Sequence, residues 1–472
     1  MIAKKLLCLL LAAAPAAVLA DENIGQRLGY EARRAERNQE QKVKAADAAQ
    51  QARQAKSGGF QDAGEALYHA VNRNDWVGST ALLAEYERQP GHDPDLALFA
   101  RAATARAAGE WGLAKKNYET LLQRRPDFTR GRLDLARLLY EGRLNREAES
   151  QFNIVAQQAD LPESVKENIS TFQTALNDRN SWRGSIQAGP VWSSNINESG
   201  SGSWCVGEVI DGECSAEWEA NPPEKGMGVK YEATASRRWQ ISGHHGLFVR
   251  GIGYGQAYRN KKQYGDNTFN LNAGYQYENH RHALTLTPLW EWHGSGGKTE
   301  YNAYGARADW ERNTEKWGWN TEIEWKRLNY TEGYPNLDGH MLSVNNTLSY
   351  TFGNNVMLFG GLDWQQRNAS GKTNAYRQPS LRAGAVKVFD SGFDAAAIAV
   401  IRHRSYDDHD AALQARRRDN EQIYLLNVGA ERWQIAGMKP VLNLKHRRNN
   451  SNVDWLHSYR QNEIGLALKK SF

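Results

Sequence analysis

The sequence predicts an α + β multi-domain fold, in which an N-terminal α-helical solenoid precedes a 14-stranded antiparallel transmembrane β-barrel. The first observation is a change of composition near Ser181. Residues 22–180 are rich in Ala, Arg, Gln, Glu and Leu, whereas residues 182–472 contain most of the 16 tryptophans. The others are a repeat in the helical part and period-two alternation of apolar and polar residues in the C-terminal part. A chain of 472 residues is long enough for two such domains.

Residues 1–20 have the organisation of a secretory signal peptide. The stretch MIAKKLLCLLLAAAPAAVLA contains two lysines, an apolar core of leucine and alanine, and Val18, Leu19 and Ala20 before the expected cleavage after Ala20. Cys8 lies inside the apolar core and is expected to leave with the signal. Residues 21–60 are charged on nearly every side and lack an apolar stripe, so we expect a solvated helix or a disordered leader there.

Charge and hydropathy limit the expected partners. The formal net charge is only +5 and no concentrated basic patch is visible, so we expect no nucleic-acid partner. After the signal peptide, no apolar run reaches the length of about 18 residues that suggests a transmembrane helix. Because only helices and closed barrels can span a bilayer, any membrane-spanning role requires a β-barrel.

A repeat with a period of 34 residues is visible between residues 61 and 160. When the chain is shifted by one period, small and aromatic residues superimpose in three pairs: Ala102 on Ala136, Ala114 on Ala148, and Tyr118 on Phe152. Tetratricopeptide (TPR) units have this period and place small residues where two helices cross closely. We therefore predict about three TPR units within a domain spanning residues 61–180, with an irregular helical bundle as the alternative.

Stacked TPR units form a concave groove lined by the first helix of each pair. In the predicted register this groove carries aromatic and basic side chains suited to holding a partner: Phe99, Arg106, Arg130, Arg137 and Tyr140. We predict that these residues form a binding surface.

Turn signals divide residues 181–472 into fourteen alternating segments. We predict strands near residues 183–194, 227–239, 246–259, 265–278, 282–293, 300–312, 316–328, 340–352, 355–366, 375–389, 393–405, 420–433, 439–449 and 458–472. Single-chain bacterial outer-membrane barrels have an even number of strands, short periplasmic turns and longer outer loops. The predicted connections alternate in length in this way, so we expect an outer-membrane barrel with the helical domain in the periplasm. A soluble β-sandwich is the alternative.

Alternation assigns the two faces of the barrel wall. In the stretch WGWNTEIEWK, Trp319, Ile323 and Trp325 share one face, and charged residues share the other. A charged side chain on the lipid face at mid-bilayer costs about 2 kcal/mol or more. We therefore predict that the charged set faces a wet lumen: Glu291, Arg307, Asp309, Glu322, Glu324 and Lys326.

The last segment, NEIGLALKKSF, has Ile464, Leu466 and Leu468 at every second position. We expect this face to meet lipid. The final Phe472 is expected to act as the insertion signal for the machinery that assembles such barrels, although Lys470 stands where an aromatic residue is commoner.

The predicted mature chain has two cysteines, Cys205 and Cys214, in the first long outer loop. In an oxidising compartment they are expected to form a disulfide worth roughly 2.5–3 kcal/mol on the loop-entropy model. The histidines match no metal-site spacing, and no nucleotide or nucleophile motif is present. We therefore predict no metal site, no cofactor and no enzymatic activity.

The stretch GPVWSSNIN, residues 189–197, lies where the helical part gives way to the barrel. Together with the signal peptide, the TPR repeats, fourteen strands and a terminal phenylalanine, it resembles the surface lipoprotein assembly modulators of Gram-negative bacteria, the Slam family. The resemblance covers nearly all of the mature chain. It implies a translocator that moves lipoproteins or soluble ligand-binding proteins from the periplasm across the outer membrane.

The same resemblance implies the partners. They are a client protein or lipoprotein encoded nearby, outer-membrane lipid, the barrel-insertion machinery and periplasmic chaperones. The predicted groove is then a client-binding surface. The rival interpretation is an exopolysaccharide export porin with a periplasmic TPR domain, and a passive nutrient porin is a third. Mixed charge signs in the predicted lumen favour a heterogeneous polypeptide over a polymer of one charge.

Overall fold

The computed structural model describes residues 42–45 and 62–472, except residues 206–208, 212, 315, 332 and 354. The predicted signal peptide and most of the predicted leader lie outside the described residues. Residues 42–45 form one helical turn, and Val43 belongs to the apolar core of the helical domain.

Seven helices occupy the described part of the chain before the barrel. They are α1 (Ala63–Asn72), α2 (Trp76–Tyr86), α3 (Pro94–Ala107), α4 (Trp111–Arg124), α5 (Thr129–Glu141), α6 (Asn145–Ala156) and α7 (Glu163–Asn180). Aspartates cap the first three helices, because their side chains accept hydrogen bonds from free backbone N–H groups in the first turn. None of the described helices is long and apolar enough to cross a membrane.

The residues that define the 34-residue repeat lie where the paired helices pack together. All four alanines of the superimposed pairs are completely buried, and Tyr118 and Phe152 fill equivalent places in one continuous core. Small side chains allow the helix axes to approach, and the aromatic rings fill the space beside them. Helix α7 is unpaired and packs at the end of the stack against α6.

Fourteen strands form a closed barrel. They are β1 (Arg183–Ser193), β2 (Gly226–Ser242), β3 (His245–Tyr258), β4 (Asp266–Glu278), β5 (His282–Ser295), β6 (Lys298–Asn313), β7 (Trp317–Tyr330), β8 (Gly339–Phe352), β9 (Val356–Ala369), β10 (Tyr376–Val388), β11 (Phe393–Tyr406), β12 (Arg418–Ala430), β13 (Lys439–Ser451) and β14 (Tyr459–Ser471). Each strand pairs antiparallel with its neighbours in sequence, and β1 pairs with β14 to close the barrel. Every strand begins and ends within three residues of its predicted position.

The wall has an apolar outer face and a polar inner face. Trp319 and Trp325 are exposed to 50% and 46%, while the intervening charged residues are turned to the opposite, inner side. In β14, Ile464 and Leu466 are likewise exposed on the outside, and Phe472 is exposed beyond the strand end. A closed barrel with this band satisfies its backbone hydrogen bonds and presents apolar side chains to lipid.

Residues 194–225 connect β1 to β2 and contain two small two-stranded ribbons. Cys205 and Cys214 form a disulfide in this loop, with their Cα atoms 5.7 Å apart. The predicted disulfide is confirmed.

We expect no free thiol in the mature chain. A maleimide carrying polyethylene glycol should leave the oxidised protein unmodified and add two adducts after reduction and unfolding, because both cysteines are then released. Electrophoretic mobility measures the number of adducts. Modification of both cysteines before reduction would contradict the disulfide.

Candidate functional site

The six predicted lumen residues lie together on the inner wall, on the neighbouring strands β5, β6 and β7. Arg307 is the centre of one group: its guanidinium contacts Asp309 at 3.0 Å and Glu324 at 3.4 Å, and it also donates to Glu322. Adjacent positions across the β6–β7 ladder bring these charges together, since Arg307 stands opposite Glu324.

The second group is a buried ion pair between Lys326 and Glu291. The Lys326 ammonium donates to both carboxylate oxygens of Glu291 at 2.9 Å, and Glu291 is completely buried. The carboxylate also accepts hydrogen bonds from the Tyr301 hydroxyl at 3.0 Å and the Asn270 amide at 3.1 Å. Because Lys326 contacts Glu324 at 3.2 Å as well, the two groups form one continuous network. Charges of both signs are therefore paired within the wall, where four carboxylates share two cations.

The sequence reasoning missed a belt of tyrosine and arginine side chains near the outer ends of the strands. Its ring contacts run from His293 to Tyr301 at 5.0 Å and from Tyr301 to Tyr330 at 5.0 Å. Guanidinium groups lie over further rings of the belt: Arg367 over Tyr330, Arg404 over Tyr376, Arg417 over Tyr406 and Arg447 over Tyr459. Tyrosine or arginine at inward positions near successive strand ends was the signal that would have located it. Most side chains of the belt are buried, so its stacked rings and guanidinium groups pack against one another at the outer end of the barrel.

Three of the five predicted groove residues lie in the core instead. Phe99 is completely buried, with its ring 5.4 Å from that of Phe128. Arg137 is also completely buried and donates to Asn168 of α7 at 3.0 Å. Tyr140 is covered by the guanidinium of Arg179, also from α7, at 3.7 Å from the ring.

The prediction of an accessible surface at these three positions was wrong. Phe99 is covered by aromatic rings within the repeat stack, among them Phe128, and α7 covers Arg137 and Tyr140. The unpaired helix supplies partners to side chains that the repeat register directed toward the groove. An Arg137→Glu substitution therefore places a second carboxylate beside Asp134 in a buried site, and it tests stability and not binding.

Arg106 and Arg130 keep part of their side chains accessible. Arg106 donates to both oxygens of Glu141, which joins α3 to α5, and Arg130 contacts Asp134 at 3.0 Å. Burial opposes ionisation of Asp134, but the charges of Arg130 and Arg137 outweigh it and hold the pKa of this carboxyl below its ordinary value. Burial also raises the pKa of the neighbouring Tyr118 hydroxyl well above its ordinary value, so this phenol stays neutral.

The helical domain contacts the turns at the short-turn end of the barrel. The Arg146 backbone N–H donates to the Gln240 side chain at 2.9 Å, and its guanidinium donates to the Ile241 carbonyl at 2.8 Å. The Trp111 ring stacks on His280 with ring centres 4.6 Å apart. These contacts hold the mouth of the barrel against α4 and α6.

We expect the double substitution Trp111→Ala and Arg146→Ala to release this docking. An aromatic contact worth about 1.5 kcal/mol corresponds to roughly tenfold in the docking equilibrium. Chymotrypsin cleavage after Trp182, which is 44% exposed in the connection between α7 and β1, should therefore accelerate at least to that extent. Leu113→Ala changes an exposed residue of the same helix and serves as the control. Equal cleavage rates in all variants would contradict the docking contact.

The docking is also expected to weaken in acid. Burial lowers the pKa of His280, and the nearby charges of Arg281, His244 and His282 lower it further. A histidine with a depressed pKa stabilises the docked state above its free pKa of about 6.5, and this contribution is lost as the pH falls through the lower value. Cleavage between the domains, divided by the cleavage rate of an unstructured peptide at the same pH, should thus be faster at pH 5 than at pH 7.5. His280→Phe should reduce that difference.

The closed barrel, its apolar outer band and the helical repeats at its short-turn mouth define an outer-membrane β-barrel protein with an N-terminal TPR domain. Residues 182–472 match the family model described as surface lipoprotein assembly modifier, and residues 60–152 match that of its N-terminal TPR repeats. The chain belongs to the surface lipoprotein assembly modifier family.

Similar proteins in this family come from several Gram-negative bacteria. A hemophilin secretion modulator of Acinetobacter baumannii is 34% identical over 87% of this chain and 86% of its own length. Surface lipoprotein assembly modifier 1 of Haemophilus influenzae is 27% identical over 86% of this chain and 84% of its own. The protein of that name from Neisseria meningitidis serogroup B is 26% identical over 86% of this chain and 82% of its own.

Proposed function

We propose that this protein transports a client protein from the periplasm across the outer membrane to the cell surface or the medium. The observation that carries the proposal is the docking of the TPR domain on the turns of a barrel whose inner wall carries paired charges of both signs. This arrangement places a polypeptide-binding type of repeat directly at the entrance of a polar passage. The names of the relatives, which refer to lipoprotein assembly and to secretion, support it.

The TPR domain receives the client in this proposal. Arg106, Arg130 and Glu141 are charged residues of its first helices whose side chains stay partly accessible, and they suit segments of mixed charge. Phe99, Arg137 and Tyr140 support this surface from beneath. Binding there is modest, since tight capture prevents release into the barrel.

The barrel provides the passage, and its role is non-enzymatic. Charged side chains along the wall are paired with one another, as Lys326 is with Glu291. The wall therefore presents no patch of a single charge sign that would retain a charged segment of the client. Folding of the client outside the cell makes the step directional without a nucleotide. Barrel-insertion machinery and outer-membrane lipid act on the transporter itself, with Phe472 as the insertion signal.

The client is a secreted ligand-binding protein or a surface lipoprotein encoded nearby. The relative that is 34% identical is named for the secretion of hemophilin, which favours a client released to the medium. The relatives named for lipoprotein assembly are 23–27% identical. A lipidated client that stays at the cell surface is therefore the second candidate for the same transport function.

Co-expression with the neighbouring gene tests the proposal. The neighbour's product carries an epitope tag, and protease shaving and blotting of the medium measure its location with and without the transporter. We expect surface or medium exposure only when both proteins are present. Retention in the periplasm in both cases contradicts protein transport, and extracellular polysaccharide in its place supports an exopolysaccharide porin. A barrel carrying both Glu291→Gln and Lys326→Met serves as a control, because it shows whether the barrel assembles when the charged pair is absent.

A further inference from the structure

The barrel closes at a seam between β1 and β14, and this seam differs from the other strand pairs. Among the neighbouring strands that the structure describes, only these two lack a connecting turn or loop. Their pairing runs to Ala188 opposite Leu468 and resumes at Val191 opposite Gly465. The ladder is therefore interrupted near its middle.

Pro190 is the cause of the interruption. Gly184 and Phe472 exchange backbone hydrogen bonds across the seam at 2.9 and 3.0 Å, and Ser194 donates to Asn462 at 2.9 Å. Backbone groups alternate in direction along a strand, so every even-numbered residue of β1 directs its N–H toward β14. Pro190 has this parity but has no N–H to donate.

At Gly189, beside this proline, the backbones of β1 and β14 approach closely, as the neighbouring backbones do at several other strand glycines. A Cβ atom at position 189 would lie 1.9 Å from the Leu466 carbonyl oxygen, so only glycine fits there. Pro288 and Pro379 interrupt the β4–β5 and β10–β11 ladders in the same way, but a short turn joins each of those pairs. The seam alone combines an interrupted ladder with the absence of a turn, within the described barrel.

A segment immediately after β1 fastens the outer end of the seam. Asn195 is 1% exposed, and its backbone carbonyl accepts from the Gln461 side chain of β14 at 2.7 Å. Its side-chain amide donates to the Arg460 carbonyl and, within its own loop, to the Ser199 carbonyl. We call residues 194–198 the latch.

Glu198 extends the latch onto β13 and β14. Its carboxylate accepts from the Arg447 guanidinium and from the Tyr459 hydroxyl, the latter at 3.0 Å. The Glu198 backbone has φ +48°, a left-handed conformation that a non-glycine residue keeps only when its surroundings hold it. Gly200 and Gly202 then donate backbone hydrogen bonds to Leu456 and Trp455 in the loop before β14.

Asn197 lies in the same segment but has no such role. Its side chain donates to the Pro222 carbonyl at 2.9 Å and accepts from the Glu224 N–H at 2.8 Å, both inside the β1–β2 loop. The two asparagines of the N-I-N sequence are therefore a natural pair for comparison, since one crosses the seam and the other does not.

We propose that the β1–β14 seam is a lateral gate, weakened by Gly189 and Pro190 and held shut by the latch. Opening exposes the unpaired backbone edges of β1 and β14, which pair with an extended β-strand of the transported client by strand addition. The identification of the added strand as part of the client rests on the proposed function. The gate itself rests on the contacts between β1 and β14 at the seam.

A disulfide across the seam tests the gate. Gln187 and Lys469 are directly opposed and have the parity of a non-hydrogen-bonded pair, in which side chains are closest. Gln187→Cys with Lys469→Cys should lock the seam and reduce client at the surface at least tenfold, with recovery after reduction. Ser343→Cys with Gln365→Cys makes an equivalent inner-face lock between β8 and β9 and should change export less than twofold. Wild type measured with the same reductant controls for the native disulfide.

The latch is tested without any client. Asn195→Ala removes the side-chain contact to the Arg460 carbonyl and keeps the backbone contact to Gln461, so it should increase entry of vancomycin into cells about twofold, whereas Asn197→Ala should not change it. The seam lock combined with Asn195→Ala should restore the barrier. Heat-modifiable migration confirms that each barrel is assembled.

The outcomes separate the two proposals. Normal export through a fully locked seam overturns the lateral gate while leaving protein transport intact. If the wild-type protein exports no client, the proposed function is contradicted. The vancomycin measurements, which need no client, then test the lateral gate by themselves. Equal vancomycin entry in Asn195→Ala and Asn197→Ala overturns the latch.

Discussion

Replacing Asp134 by alanine is expected to unfold the helical domain near 37 °C while the barrel stays assembled. Asp134 is 4% exposed and faces Arg130 and Arg137, and Arg137 is completely buried. Removing one partner of a buried ion pair costs about 3–5 kcal/mol because the remaining charge is left without compensation. That loss is a large part of the 5–15 kcal/mol that stabilises an ordinary domain.

Circular dichroism at 222 nm in detergent micelles measures this effect, because the helical signal comes from the N-terminal domain. Asp127→Ala is the matched control, since that side chain is 77% exposed in the same domain. It should change the midpoint little. An Asp134→Ala midpoint equal to that of the control would show that the buried network does not stabilise the domain.

The same carboxylate predicts the acid behaviour of the helical domain. Its folded pKa lies below the unfolded value of about 3.9. The stability it contributes is complete above the unfolded pKa and is lost as the pH falls through the folded one. The difference in midpoint between wild type and Asp134→Ala should therefore shrink as the pH is lowered below about 4.

Replacing Lys326 by methionine is expected to have the largest effect on the barrel. The substitution leaves the Glu291 carboxylate buried in the wall with only neutral hydrogen-bond donors, Tyr301 and Asn270. The cost is about 3–5 kcal/mol. Urea titration of the heat-modifiable folded form should show a lower midpoint than wild type.

The double variant Glu291→Gln with Lys326→Met distinguishes charge from packing. Because both charges are removed, we expect it to recover most of the stability lost by the single variant. Lys298→Met, at an exposed position of β6, should be neutral. A double variant as unstable as the single one would assign the loss to side-chain volume.

The strands and their two faces could be predicted from the sequence because alternation is a local property. Trp319 and Glu322 differ in parity, so the choice of face for one determines the face for the other. The same logic placed Arg307 and Lys326 on the inner wall. It did not reveal the tyrosine–arginine belt, because alternation assigns each side chain to a face but does not say which side chains of neighbouring strands lie at the same height and touch.

The helical groove shows the limit of repeat analysis. The 34-residue period correctly identified which alanines and aromatic rings are buried between paired helices. It gave no information on α7, which lies outside the repeat and covers Arg137 and Tyr140. A side chain's exposure depends on what packs against it, and that partner was not part of the pattern.

The sequence by itself determined the two domains, the fourteen strands and the direction of each strand face, because composition and periodicity report local preferences for helix, strand, water and lipid. Only the tertiary structure decided which charges meet in the wall and what fastens the seam. Asn195 contacts Gln461 across 266 residues of chain, and Arg447 contacts Glu198 across 249. Closure of the barrel brings these partners together, and no local pattern contains that information.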